Sequence, residues 1–363
     1  MRILYGVVGE GMGHATRSRV VIEHLLGAGH EVDIVVSGRA HDLLREAFGG
    51  EGGADVRRIH GLHMVYADNE VQKRLTLLGN LEALRTGLPT NVKAWSDAME
   101  RWEPDVVISD FESLSYLYAR LHRIPVVSID NMQVINRAWH PDELIAAHKR
   151  SFLLSKAIVK TKLPGCDHYF ITSFFFPETR KERTTLVPPI LRPVVLEAAK
   201  KARRGDHVVV YQSGESHDAL VDVMRGFSDT EFRVYGLRRD ITETERDGNL
   251  VFRPFSETGF IDDVATSRAA IAGGGFSLMG ECVFLHKPLL SVPLSGQFEQ
   301  ILNAGWLQHL GYGLHRQHIE AADVAELLER APEFAENLAA HRQDGNRMLL
   351  GALDAKLAEI EAR

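Results

Sequence analysis

From the first residues onward, short β-branched runs alternate with longer stretches of helical spacing. Ile3 to Val8 and Val32 to Val36 are brief apolar runs bounded by glycine or polar residues, the mark of buried strands. Arg17 to Leu26 and Ala40 to Phe48 repeat their apolar residues three and four apart, as a helix with one buried face does. Further strands are predicted at Val106 to Ser109, Val126 to Ile129 and Tyr169 to Thr172. Such alternation implies a parallel sheet covered by helices. Residues 1–190 are therefore expected to form one Rossmann-like, doubly wound α/β domain.

The run Val187-Pro188-Pro189-Ile190-Leu191-Arg192-Pro193 interrupts the series. Its prolines lack the N–H that a regular element needs and favour an extended connector, so the domain boundary is placed there. A second series follows at His207 to Tyr211, Phe232 to Tyr235, Leu250 to Phe252, Ala269 to Ala272 and Leu289 to Val292. It predicts a second Rossmann-like domain over 191–330, facing the first across a cleft. The end of the chain is rich in Ala, Leu and Glu, and residues 331–363 are expected to be helical and to pack back toward the first domain.

Two strands run into glycine-rich turns just before a helix, where free backbone N–H groups and the helix dipole favour anionic ligands. The first turn is Gly9-Glu10-Gly11-Met12-Gly13-His14, with Gly11 and Gly13 expected on the acceptor side. It departs from the dinucleotide fingerprint, because His14 stands where Gly or Ala belongs and the second strand ends in Ser37-Gly38-Arg39 without an acidic residue. A nicotinamide enzyme is disfavoured. The second turn is Gly273-Gly274-Gly275-Phe276-Ser277, with Ser277 as the expected N-cap and a diphosphate expected on its amides. Glu281 lies one helical turn past Ser277, where a carboxylate can accept from two adjacent ribose hydroxyls. After the Lys287-Pro288 break and the next strand, Glu299 and Gln300 open another helix with side chains suited to sugar hydroxyls.

The run from Gly273 to Ala304 resembles the donor domain of GT-B glycosyltransferases, especially glycosyltransferase family 28, the UDP-glycosyltransferases and a bacterial and archaeal group described as related to teichoic acid biosynthesis. The likeness rests on Gly273-Gly274-Gly275, Glu281, Lys287-Pro288, Pro293 and Glu299-Gln300-Ile301-Leu302-Asn303-Ala304. It implies that Glu281 holds the ribose, that Glu299 and Gln300 read the donor sugar, and that Phe260-Ile261-Asp262-Asp263 borders the nucleobase. It also implies that Ser213 and Gly214 face the diphosphate and that the nucleotide is UDP. Leu278 stands where the pattern often has a hydroxyl, with Ser277 as the substitute.

Sugar transfer also needs an acceptor, expected to be lipid-linked, a glycan or a small molecule, and a base for its hydroxyl. His14 ends the first strand of the opposite domain and is the candidate, with an ordinary pKa of ~6.5 suited to that work. Asp110, in Ile108-Ser109-Asp110-Phe111-Glu112, is a candidate partner that orients it; Glu112 is the alternative, and Asp110 also reads as the N-cap of the helix near Ser113. A histidine base implies single displacement with inversion. Neither a metal nor a cofactor is expected, the nucleotide sugar being a substrate. Two readings compete: a non-hydrolysing nucleotide-sugar 2-epimerase, and a non-catalytic donor-binding subunit.

Composition narrows the setting. The chain has 363 residues, 45% hydrophobic and 25% charged, enough apolar material for two cores. A net charge of -7 argues against broad attachment to nucleic acid. Cys166 and Cys282 are far apart in sequence and have no metal-ligand spacing, which fits a reducing cytosol. The N-terminus lacks the layout of an export signal, and no run approaches the ~20 apolar residues that span a bilayer. The expected location is cytoplasmic, with peripheral contact at the inner membrane face. Lys149 to Lys162 offers five basic residues, no acidic one and interleaved apolar positions, which suits an anionic lipid surface or simply a solvated helix face. Tyr66 to Trp102, with Trp95, either shapes an acceptor pocket or packs.

Overall fold

The structure is a computed structural model that describes residues 1–9, 12–50, 54–59, 66–67, 70–71, 102–212, 218–238 and 240–363. The first domain begins with β1 (Arg2–Val7), α1 (Met12–Gly27), β2 (Glu31–Ser37), α2 (Ala40–Phe48) and β3 (Asp55–Ile59). A two-stranded ribbon, β4 (Tyr66–Ala67) with β5 (Glu70–Val71), stands apart from the main sheet. The domain continues through β6 (Val106–Asp110), α3 (Ser113–His122), β7 (Val126–Asp130), α4 (Val134–Arg137), α5 (Asp142–Ile145), α6 (Lys149–Lys162), β8 (His168–Thr172) and β9 (Thr184–Val187). The seven strands lie in the order β3-β2-β1-β6-β7-β8-β9, and their ladders are all parallel.

The second domain repeats the plan. After α7 (Pro193–Ala199) come β10 (Val208–Tyr211), α8 (Asp218–Arg225), β11 (Phe232–Tyr235), β12 (Glu245–Asp247), β13 (Leu250–Phe252), α9 (Glu257–Ala265) and β14 (Ala269–Ala272). Then follow α10 (Phe276–Phe284), β15 (Leu289–Ser291), α11 (Phe298–His309), β16 (Gly313–His315), α12 (Ala321–Leu338) and α13 (Arg347–Glu361). Its sheet has the order β12-β13-β11-β10-β14-β15-β16, parallel except for the edge pair β12–β13. The edge strand β12 is Glu-Arg-Asp, with no apolar residue, and so leaves no trace in the hydrophobic pattern. The short strands β3, β9 and β16 likewise escape the sequence reading.

In both sheets the chain starts at the centre, builds outward to one side and then crosses back to build the other. The strand order thus reverses between β1 and β6, and again between β10 and β14, and ligands of such sheets bind at the carboxyl ends of the strands at that point. Each reversal carries one of the two glycine turns.

The expected connector has no regular secondary structure from Pro188 to Arg192, with Arg192 extended, after which Pro193 opens α7 as its first helical residue. A proline is tolerated there because the first N–H of a helix has no partner anyway. Asn346 holds the connector by accepting from the Leu191 N–H at 2.8 Å and donating to its carbonyl at 2.8 Å. Val324, Leu327 and Phe334 of α12 join the core of the second sheet, whereas Leu349, Leu353, Leu357 and Ile360 of α13 join a core with β1 and β6 of the first.

The domains also meet through aromatic rings. Trp306 of α11 stacks on Phe175 at 4.8 Å with planes 8° apart, Phe276 lies 6.1 Å from Phe174, and Phe298 lies 5.5 Å from Phe152.

Candidate active site

Registration of β1 with β6 pairs Val7 with Asp110, so the turn after β1 and the end of β6 are level. His14 lies in the first turn of α1, and its Nδ1 is 2.9 Å from Asp110 Oδ1. The imidazole side chain is 19% exposed and the carboxylate 1%, so the imidazole is the half of the pair that a substrate can reach. Asp110 is the last residue of β6 and does not cap α3. Glu112 is the cap, accepting from the N–H groups of Leu114 and Ser115 at 2.7 Å each, which removes it as an alternative partner for His14.

Asp110 has two further partners that sequence reading missed. Arg17 Nε donates to Oδ2 at 2.8 Å while Nη2 donates to Oδ1, and Ser18 Oγ donates to Oδ2 at 2.9 Å. Burial opposes ionisation of Asp110, but the Arg17 and His14 charges and hydrogen bonds outweigh it and hold the carboxyl well below the usual range. His14 is pushed below its ordinary value, first by burial and then by the Arg17 charge, which Asp110 does not offset. Arg17 follows His14 by three residues in a helix, a spacing that puts both on one face and was the available signal.

Arg17 also reaches across toward the second domain. Its Nη1 donates to Asn131 Oδ1 at 2.7 Å, and Asn131 Nδ2 donates to Glu299 Oε1 at 2.7 Å. Asn303 Nδ2 donates to the same oxygen at 2.6 Å. His14, Asp110, Arg17, Asn131 and Glu299 thereby form one hydrogen-bonded line from the first domain into the second. Burial pushes Glu299 up to about 7, the two amides and the Arg17 charge offsetting this only in part. Asn131 follows β7 directly, at the carboxyl end of the strand beside β6, a position that topology alone marks for ligands.

On the donor side, β14 runs into Gly273-Gly274-Gly275 as expected, but the helix is capped differently. Gly275 is the N-cap of α10, with extended backbone and no side-chain bond, and Ser277 lies inside the first turn. The opening amides of α10 are therefore without a capping side chain and available to a ligand. Ser277 instead faces the other domain: a Cβ added to Gly13 would lie 2.5 Å from Ser277 Oγ, so the starts of α1 and α10 approach closely and a larger residue at 13 would push the serine hydroxyl aside. A Cβ on Gly274 would lie 2.6 Å from Gln300 Cβ, which seats the start of α11 against the turn.

The remaining donor residues are more committed than sequence suggested. Both Glu281 oxygens are taken by Arg192, whose Nε and Nη2 donate at 2.8 and 2.9 Å; Arg192 Nη1 also donates to Glu257 at 2.6 Å. Gln300 holds its own loop, accepting from the Leu294 N–H at 3.0 Å and donating to Gln297 Oε1. Phe260 and Ile261 are buried, and the Phe260 ring packs 5.4 Å from Tyr211 and 5.0 Å from Tyr235, as core residues beneath the end of β10. Gly11, Ser213, Gly214 and most of Tyr66 to Trp102, Trp95 included, lie outside the described residues.

A partly accessible imidazole oriented by a carboxylate, with an uncapped helix N-terminus of the second domain nearby, can remove a proton on one side while the helix start accommodates an anionic leaving group on the other. Known proteins resemble this chain in sequence and in fold. A relative from Methanosarcina acetivorans, an uncharacterized glycosyltransferase, is 26% identical over 406 residues covering 100% of this chain and 98% of its own length. The calicheamicin glycosyltransferase CalG4 shares the fold with a TM-score of 0.66 at 20% identity, covering 99% of this chain and 98% of its own. So does the spinosyn rhamnosyltransferase SpnG, solved with thymidine diphosphate, with a TM-score of 0.61 at 17% identity over 98% of this chain and 100% of its own. Neither an epimerase nor a binding subunit is favoured by these likenesses. The family model described as glycosyl transferase family 1 matches residues 1–332, and with the two reversal points facing each other it decides the matter: the chain belongs to glycosyl transferase family 1 and is a glycosyltransferase of the GT-B type.

Proposed function

We propose that this glycosyltransferase moves a sugar from a uridine diphosphate donor to an acceptor hydroxyl by a single displacement with inversion, with His14 as the base. The observation that carries this reading is the 2.9 Å contact between His14 Nδ1 and buried Asp110, with the imidazole 19% exposed and the neighbouring Gly13 packed against Ser277 at the start of α10. Asp110 keeps Nδ1 protonated, which leaves the Nε2 lone pair for the acceptor proton. The amides of Gly275 to Ser277 and the α10 dipole receive the departing diphosphate, so the reaction calls for no metal. Glu299 reads a hydroxyl of the donor sugar, and Gln300 shapes the loop beside it. Glu281 serves the ribose with Arg192 as its fixed partner, since a carboxylate oxygen keeps a second lone pair for a hydroxyl. By the family resemblance, Gly11 and Gly13 are assigned to the acceptor side, and Ser213 and Gly214 to the diphosphate.

The acceptor is proposed to be a lipid-linked or other glycan precursor of the cell envelope, met at the cytoplasmic face of the membrane. Support comes from α6, which exposes Leu153, Leu154 and Ile158 among its basic residues and buries only Val159. No helix of the described residues is long and apolar enough to cross a membrane.

A panel of UDP- and TDP-sugars, followed by nucleotide release and by the anomeric configuration of the product, tests the proposal. Thymidine diphosphate is included because SpnG was solved with it. His14→Ala is expected to lower kcat by roughly 10²–10⁴, and Glu281→Ala to raise KM for the donor. Undiminished transfer by both variants, or a product of retained configuration, would overturn it.

A further inference from the structure

Arg17 is buried, and each arm of its guanidinium has a partner: Nε and Nη2 on Asp110, Nη1 on Asn131 Oδ1. Nη2 also lies 2.6 Å from His14 Nδ1. A neutral imidazole nitrogen either donates or accepts, so Nδ1 cannot serve both neighbours at once. Each guanidinium nitrogen already has an acceptor in Asp110 or Asn131, whereas a lone pair on Nδ1 would face the Asp110 carboxylate oxygen at 2.9 Å with no proton between them; Nδ1–H therefore points to Asp110, and Arg17 stands beside the ring as a charge. We propose that Arg17 is a positioning residue for His14: it fixes Asp110 against Nδ1 and takes up its charge, so that the carboxylate orients the imidazole without pairing with it as a cation.

This deepens the reading of His14 as base and rests on it for its functional meaning. A buried carboxylate with no other cation stabilises the imidazolium and raises a histidine pKa, which at neutral pH would convert the base into its spent form. Here the carboxylate and guanidinium together carry no net charge. Among the described residues, the charged groups that act on His14 are Asp110 from β6, Arg17 from α1 itself and Lys162 at the end of α6. Only Asp110 favours protonation. On the far side of Arg17 stand Asp130, which burial pushes up to about 6, and Glu299 through Asn131. Because Asn131 Oδ1 accepts from Arg17, its amide nitrogen must turn to Glu299, and the clamp on the base is thereby tied to the proposed sugar reader.

The test is the titration of His14 in the full chain, read by NMR with labelled histidine and assigned by the loss of its signal in His14→Ala. It needs no substrate, so its outcome does not depend on whether His14 is the base, and an active His14→Ala would overturn the base without touching it. The wild-type ring is expected to titrate below an ordinary histidine. Arg17→Met is expected to raise the midpoint by about one unit or more, a tenfold gain in proton affinity, and Arg17→Met with Asp110→Asn to return it to the wild-type side. Arg17→Gln keeps a donor for Asp110 without the charge and should show the same rise, which covers the case in which Arg17→Met does not fold. Arg17→Lys keeps the charge and should stay near the wild type, whereas a role in packing alone would not separate lysine from glutamine. A wild-type midpoint in Arg17→Gln, or an equal rise in Arg17→Lys, would overturn the proposal.

Discussion

Glu299 is buried between the amides of Asn131 and Asn303, and its carboxyl is raised from 4.5 to about 7. Below pH 4.5 it is protonated whether the chain is folded or not, and it adds nothing to the pH dependence. Between 4.5 and about 7 the folded state keeps a proton that the unfolded state releases, so stability falls as pH rises through that window and levels off above it. The cost of ionising this one group is on the order of 3 kcal/mol. Glu299→Gln can still accept both amides without ionising, and it is expected to have a higher Tm than the wild type at pH 8 and a similar one at pH 4. Equal Tm at both pH values would refute the assignment. At this scale the sequence was partly legible: His14 and Asp110 were singled out by where their strands end, and they do touch. Arg17 and Asn303 lie one helical turn from His14 and Glu299, so spacing placed them nearby without saying what they bind, whereas Arg192 and Asn131 were missed because partners from distant elements are set by which elements are neighbours in space.

At the scale of elements, hydrophobic period was the better guide. Strands as brief as β13 and β14 were placed because all their residues are buried and apolar. The polar edge strand β12 and the cap of α10 were not, since an edge needs no apolar pattern and a backbone cap needs no special side chain. The helix α6 tests what an amphipathic pattern means. It runs from Lys149 to Lys162, as read, but its apolar residues at 153, 154 and 158 face outward. Exposed leucines ringed by lysines suit an anionic lipid surface, where apolar burial and charge attraction add. The protein is expected to sediment with phosphatidylglycerol-containing vesicles at low salt, less at high salt, and much less as Leu153→Glu with Ile158→Glu. Sedimentation unaffected by the double substitution would assign the helix to a solvated face.

For the whole molecule, the choice is between two domains that swing freely and two that are held. Interfaces between domains of one chain are often polar and permissive of motion. This one instead stacks Trp306 on Phe175, and Trp306 Nε1 donates to His140 Nδ1 at 3.1 Å. Burial pushes His140 down to about 4, so near neutral pH it is the uncharged acceptor that this bond requires. Trp306→Ala is expected to cost about 3–5 kcal/mol and, by uncoupling the domains, to split one calorimetric transition into two. A single transition at the wild-type Tm would show that the contact does not join them.

The chain by itself determined what depends on local order: an α/β alternation, a break at the prolines, and two glycine turns each between a strand and a helix. Those follow from backbone sterics and from the burial of apolar residues at a fixed period, which any window of sequence displays. Only the tertiary structure decided which carboxylates are open and which are taken, because that depends on cations arriving from distant elements. Arg192 comes to Glu281 from the connector, and Arg17 comes to Asp110 from a helix 93 residues away in sequence. The line from His14 to Glu299 exists because two sheets, each reversing at its centre, bring those centres face to face.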